Sequence, residues 1–257
     1  MNAALLVGIN HYRAPGNDLR GCRNDVLNMK DLLVNTFHFS VLQISELTDA
    51  QATKKNIMKG LRQMVHQAKA GDHLLFHFSG HGSQVPDQDN DEEDFLDEVL
   101  CPHDLDWSGL YISDDDLRNV CMGLHSKATL DVLLDSCHSG TGLRMPGEIP
   151  KFIPSPFVFS PQACTRTFGM IPADDLPNVV LWSGCKSTQT SSDAYIEKKS
   201  QGAMTWAFGH TVRTIIKSSF NRAWHIKMIN QMMVDNGFAQ TPQLECTPEM
   251  KQKSILQ

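Results

Sequence analysis

Cys137 and His81 are the side chains in this sequence best placed to do chemistry, because each stands just past the end of an apolar run. Val132-Leu133-Leu134 stops abruptly at Asp135-Ser136-Cys137, and His138-Ser139-Gly140 follow. His73-Leu74-Leu75-Phe76-His77-Phe78 ends the same way, at Ser79-Gly80-His81-Gly82-Ser83. Short apolar runs bounded by small residues read as buried strands. Loops beyond the carboxyl ends of strands are where open α/β sheets hold their active sites. A lone cysteine is more often a small buried hydrophobe, and a lone histidine beside glycine is usually a turn residue. A thiol paired with an imidazole is different. Free cysteine, with a pKa of about 8.5, is mostly protonated at neutral pH, and a neighbouring imidazole raises its thiolate fraction. Cys137 would attack a scissile carbonyl, and His81 would deliver a proton to the leaving amine. His138 directly follows the nucleophile and should point elsewhere.

Asp135 lies two residues before Cys137, on the same face of the same strand. It therefore brings a carboxylate close to the pocket for P1, the residue preceding the cut.

The two strand-end motifs, Ser79-Gly80-His81-Gly82 and Asp135-Ser136-Cys137-His138-Ser139-Gly140, resemble those of the caspase-like cysteine peptidases, most closely the metacaspase and orthocaspase branch. The resemblance runs from Ala4-Leu5-Leu6-Val7-Gly8-Ile9-Asn10 to Gln240-Thr241-Pro242-Gln243-Leu244. It implies a caspase-like (caspase-hemoglobinase) α/β fold, a three-layer sandwich. It implies a cysteine endopeptidase, with the amides of Gly82 and Cys137 forming the oxyanion hole. It also adds Asp25, from Gly21-Cys22-Arg23-Asn24-Asp25, to the P1 pocket, with Cys22 and Ser79 along its walls. Two aspartates in one pocket favour arginine or lysine at P1 and repel aspartate. The rival reading is a catalytically silent caspase-like module that binds or scaffolds partners; the intact Cys137, His81, Asp25 and Asp135 argue against it.

No cofactor is required for this chemistry, but many relatives resemble one another in needing calcium as an activator. By that resemblance Asp97, Asp114 and Asp115 are the calcium ligands, while Arg144 stands where a further aspartate is expected. The acidic run from Asp87 to Asp94 is not an EF-hand, since Glu92 occupies the position where that loop needs glycine; it reads as a solvated loop. A peptidase specific for basic residues could also cut itself, after Arg144, Lys151 or Arg166.

The elements that must position these residues alternate. Strands at Ala3–Ile9, Val41–Leu47 and His73–Ser79 enclose helices from about Cys22 to Thr36 and from Gln51 to Ala70, the latter capped by Asp49. That β-α-β-α-β rhythm belongs to a mostly parallel sheet, here of six or more strands, with helices on both faces. A helix starting near Asp114 and running to about Leu124 precedes the strand into Cys137. Seven of the twelve prolines lie between 143 and 177, so a long irregular insertion interrupts the pattern. A strand at Asn178–Cys185, helices at Gly202–Lys217 and Trp224–Val234, and an edge strand at Thr241–Cys246 complete it. We expect one domain over 1–257, with a large p20-like part (1–143), a proline-rich insertion (144–177) and a small p10-like part (178–257). The stretch from Gln189 to Asp193 should flank the substrate cleft and support it.

Bulk properties fit a globular domain, and the resemblance implies protein or peptide substrates. The 257 residues are 41% hydrophobic, enough for one sizeable core. A net charge of −6 with no basic run argues against nucleic acid or an anionic membrane as partner. No apolar stretch reaches 18 residues. The seven cysteines are odd in number and irregularly spaced, which suits a reducing compartment. The expectation is a cytoplasmic monomer.

Overall fold

The computed structural model describes residues 2–86, 96–137, 148–157, 176–186, 189, 191–215 and 221–256. In chain order, β1 (Ala3–Gly8), α1 (Cys22–Asn35), β2 (Ile44–Thr48), α2 (Lys54–Gln67) and β3 (His73–Ser79) form the first half of the layered core. β4 (Gly82–Pro86), β5 (Leu96–Leu100) and β6 (Ile112–Ser113) make a small separate sheet, and α3 (Asp114–Cys121) leads to β7 (Thr129–Asp135). After β8 (Ile149–Pro150) come β9 (Val179–Ser183), β10 (Ser192–Ile196), β11 (Lys199–Gly202), α4 (Ala203–Ile215), α5 (Arg222–Asp235), β12 (Gln243–Glu245) and α6 (Pro248–Gln252).

Six strands form the main sheet in the order β12-β9-β7-β3-β1-β2. All neighbours are parallel except β12, which runs antiparallel along β9 at the edge. Parallel strands covered on both faces need apolar side chains of both parities, and the sequence supplies them. Leu5, Val7, Leu74, Phe76, Phe78, Leu130, Val132 and Leu134 pack on one face with Ile57, Leu61 and Met64 of α2 and Leu117 of α3. Ala4, Leu6, Leu75, Leu133, Val180 and Trp182 pack on the other with α1, α4 and α5. The three layers are those of the caspase-like α/β fold expected from the sequence.

Local corrections concern ends and caps. Thr53, not Asp49, caps α2, its side chain accepting from Asn56 N. Asp49 takes a positive φ of 46° and its carboxylate instead accepts from the amides of Asn10 and His11, tying down the loop after β1. Val41–Gln43 is a single 3₁₀ turn ahead of β2. α3 ends at Cys121, three residues short of the expectation. No helix among the described residues is long and apolar enough to cross a membrane.

Candidate active site

Adjacent parallel strands deliver the thiol and the imidazole to the same level. β3 and β7 pair in register through Ser79↔Asp135, so His81 and Cys137 each stand two residues past matched partners. Strands about 4.8 Å apart keep such residues neighbours.

Between them lies the chain's own Lys151. Its carbonyl oxygen accepts from Gly82 N at 3.0 Å and Cys137 N at 3.1 Å, the two amides expected to form an oxyanion hole. Its side chain is fully buried. The ammonium lies 3.1 Å from Asp135 Oδ1 and 3.3 Å from Asp25 Oδ2, and donates to Ser79 Oγ at 2.9 Å. Cys22 is also fully buried beside this charge. The structure thus brings Asp25, Asp135, Cys22 and Ser79 into one pocket and fills it with a lysine.

Each carboxylate has a full set of donors. Asp135 accepts from Thr205 N (2.9 Å), Thr205 Oγ1 (2.7 Å) and Ser191 Oγ (2.8 Å). Asp25 accepts from Ser79 Oγ (2.7 Å) and Gly202 N (2.9 Å). Burial opposes charge on Asp135, but Lys151 and these donors hold its pKa below the ordinary value. Burial raises Asp25 to about 6, with Lys151 pulling the other way. Lys151 is likewise opposed by burial, yet the aspartates push it well above the ordinary lysine value. One ammonium shared by two carboxylates leaves one of them the weaker acid, and here it is Asp25.

The imidazole is oriented by groups that carry no motif. His81 Nε2 lies 2.8 Å from Asn17 O. A carbonyl only accepts, so Nε2 carries the proton and Nδ1 is the basic nitrogen. Nδ1 is buried with no hydrogen-bond partner among the described residues. Tyr12 supports the ring, its hydroxyl oxygen accepting from His81 N at 2.8 Å and its ring centroid 4.9 Å from the imidazole. Burial pushes His81 down to about 4, against upward pulls from the Asn17 and Lys151 main chains, so the imidazole is neutral at pH 7. Cys137 Sγ rests against Ser191, whose N–H donates to it at 2.6 Å while the thiol donates to Ser191 O at 3.0 Å.

Sequence reasoning missed Gly202, Thr205, Tyr12 and Asn17. A Cβ at Gly202 would fall on the Asp135 carboxylate and the Lys151 ammonium, so the pocket wall there must be glycine. Of the stretch expected to flank the cleft, Ser191 touches Cys137 and Asp135, and the Asp193 carboxylate accepts from the amides of Arg20 and Gly21 ahead of α1.

Asp97 and the Asp114–Asp115 pair lie near the same end of the antiparallel β5–β6 ladder, which closes at Val99↔Ser113. Their carboxylate oxygens are the hard donors calcium takes, but Asp114 Oδ1 already accepts from Asp115 N. Among the described residues no group of three or more His, Cys, Asp or Glu is arranged to hold a metal ion. His138, Arg144, Arg166 and the acidic run from Asp87 to Asp94 lie outside the described residues.

Known proteins resemble this chain along nearly its whole length. A family model described as "Metacaspase, peptidase C14 domain" matches residues 2–146. Metacaspase-1A of Aspergillus terreus is 32% identical over 292 residues, covering 95% of this chain and 70% of that protein. Its counterpart in Aspergillus fumigatus is 33% identical over 291 residues, 95% of this chain and 68% of that protein. Among solved structures, a Geobacter sulfurreducens protein superposes with a TM-score of 0.72 at 22% identity, over 99% of both chains. Caspase-1 of Spodoptera frugiperda gives 0.60 at 13% identity, over 99% of this chain and 88% of that one.

Proposed function

The chain belongs to the metacaspase family of cysteine-type endopeptidases, and on that footing we propose that it cleaves protein chains after lysine or arginine, its own Lys151–Phe152 bond among them. The observation that carries this reading is the seating of Lys151. Its carbonyl oxygen lies between two amide donors while its ammonium lies between two carboxylates. A substrate poised for acyl transfer needs both contacts at once.

In this mechanism His81 Nδ1 takes the Cys137 proton, and the sulfur attacks the P1 carbonyl carbon. The amides of Gly82 and Cys137 hold the oxygen as it gains charge. His81 then returns the proton to the leaving amine, which for self-cleavage is the nitrogen of Phe152. Water hydrolyses the thioester, again with His81 as base. Asn17 keeps the required tautomer in place. The Asp25–Asp135 pocket selects the cation and rejects an acidic P1.

Calcium enters this reading as an activator outside the bond-making steps; its expected ligands Asp97, Asp114 and Asp115 do not by themselves make a metal-holding group among the described residues. Self-cleavage after Lys151 would divide the chain into a large N-terminal and a smaller C-terminal piece, whereas Arg144 and Arg166 have no comparable support. The active species is read as a monomer. The test is fluorophore release from peptides ending in arginine, lysine or aspartate, with calcium and with chelator. Release after arginine and lysine alone is expected, lower in chelator. Release only after aspartate or a neutral residue would overturn the proposed pocket.

A further inference from the structure

The seated segment shows more of the cleft than its P1 pocket. On the near side of the Lys151–Phe152 bond, Ile149 and Pro150 pair antiparallel with Asp193 and Ser192 of β10, and Lys151 N donates to Ser191 O at 3.1 Å. Beyond the bond the chain stays engaged. Phe152 bridges Gly82, Ile153 N donates to Gly82 O at 3.1 Å, and Ser83 Oγ donates to Ile153 O at 2.6 Å. Further on, Phe157 meets the Trp107 ring edge-on, centroids 6.4 Å apart.

Burial along the segment is selective. Among Glu148 to Phe157 only Lys151 and Ile153 are buried; Glu148, Ile149, Pro150, Phe152 and Ser155 are partly exposed, and Pro154, Pro156 and Phe157 are exposed. Ile153 keeps 6% of its surface exposed and belongs to the apolar cluster on the α2–α3 face. The chain bends at Lys151, between the stretch paired with β10 and the bridge at Phe152, and the bound segment enters the protein at two places, Lys151 and Ile153.

We propose that this cleft selects substrates at P2′, the second residue after the cut, as well as at P1. It takes an aliphatic P2′ side chain where Ile153 now sits, and Ser83 positions the P2′ main chain. This rests on the endopeptidase reading above and deepens it. The preferred substrate is an internal chain segment with a basic residue followed two places later by an aliphatic one. Short amides that end at the scissile bond forgo Gly82 O, Ser83 Oγ and the apolar site together.

The test uses the self-processed full chain and internally quenched peptides built on Glu-Ile-Pro-Lys-Phe-Ile, the sequence of residues 148–153. Replacing the final isoleucine by aspartate should lower kcat/KM about tenfold or more, because an apolar site rejects a charge it cannot pair. The same replacement of the isoleucine before proline, which is only half-buried, should cost less than about threefold. Ser83→Ala should narrow the advantage of the long peptide over a lysyl amide that has no residues beyond the cut. Equal kcat/KM for isoleucine and aspartate at P2′, with cleavage still after lysine, would overturn this inference and leave the basic-specific reading intact. Absence of cleavage after lysine in every peptide would overturn both.

Discussion

Two buried aspartates stand four residues apart on one face of β7, and they keep different company. Asp131 is matched one to one by Arg222 of α5, Nε to Oδ1 at 3.0 Å and Nη2 to Oδ2 at 2.7 Å. Trp182 Nε1 adds a third donor at 2.8 Å. Charge balances there, the fork is bidentate, and both partners are built into the sheet and its covering helix. Asp135, at the carboxyl end of the strand, shares a single ammonium with Asp25, so the pocket holds two carboxylates for one cation. That cation arrives on a short segment rather than on a core helix. A balanced, internally supplied pair holds structure together. A pocket with an excess carboxylate, filled by a chain segment that also offers its carbonyl to two amides, suits a cation that comes and goes.

Variants can break each half of the contrast separately. Arg222→Met should have the largest effect on stability, about 3–5 kcal/mol, because it strands Asp131 without its partner. Chemical denaturation reads this, and the preference for lysine over norleucine at P1 should be unchanged. Asp135→Asn should act the other way, lowering kcat/KM for lysyl peptides about 10²–10³-fold. Its amide oxygen can still accept from Thr205, so unfolding should change less than in Arg222→Met. Trp182→Phe removes one donor from Asp131 and should cost about 2 kcal/mol in the same denaturation assay.

The smallest effect is on pH dependence. Asp25 titrates near 6 because burial disfavours its charge. Above that value it is ionised and the pocket presents two negative charges; below it one is lost. Activity on basic peptides should therefore fall as pH drops through about 6. The value near 6 holds with an ammonium in the pocket, so Asp25→Asn should remove that limb of the kcat profile and lower its high-pH plateau. His81, pushed down to about 4 by burial, contributes only at lower pH while the cleft is filled.

The parts of this site that were legible in sequence are those carried by strand ends. Cys137, His81 and Asp135 stand at the ends of two apolar runs, and parallel register alone brings the runs together. The roles of Gly82, Ser79, Cys22 and Asp25 came by family resemblance; a buried carboxylate on α1, for one, has no local signature. Gly202 and Thr205 stayed hidden because their role depends on the β10–β11 hairpin returning to the pocket, a contact that local periodicity does not encode. Asn17 acts through its backbone carbonyl, which any residue could supply. Asp49 was misread because an aspartate ahead of a helix is normally a cap, and here Thr53 fills that role. Lys151 was legible as a basic residue in a proline-rich stretch, but its place in the pocket depends on β8 pairing with β10.

The most direct test is the intact mass of the purified chain, incubated with and without calcium, beside Cys137→Ala and Lys151→Met. The wild-type chain should yield two pieces that meet between Lys151 and Phe152, and both variants should remain uncut at that bond. A wild-type chain that stays whole under both conditions, or a cut there that persists in Cys137→Ala, would contradict the account.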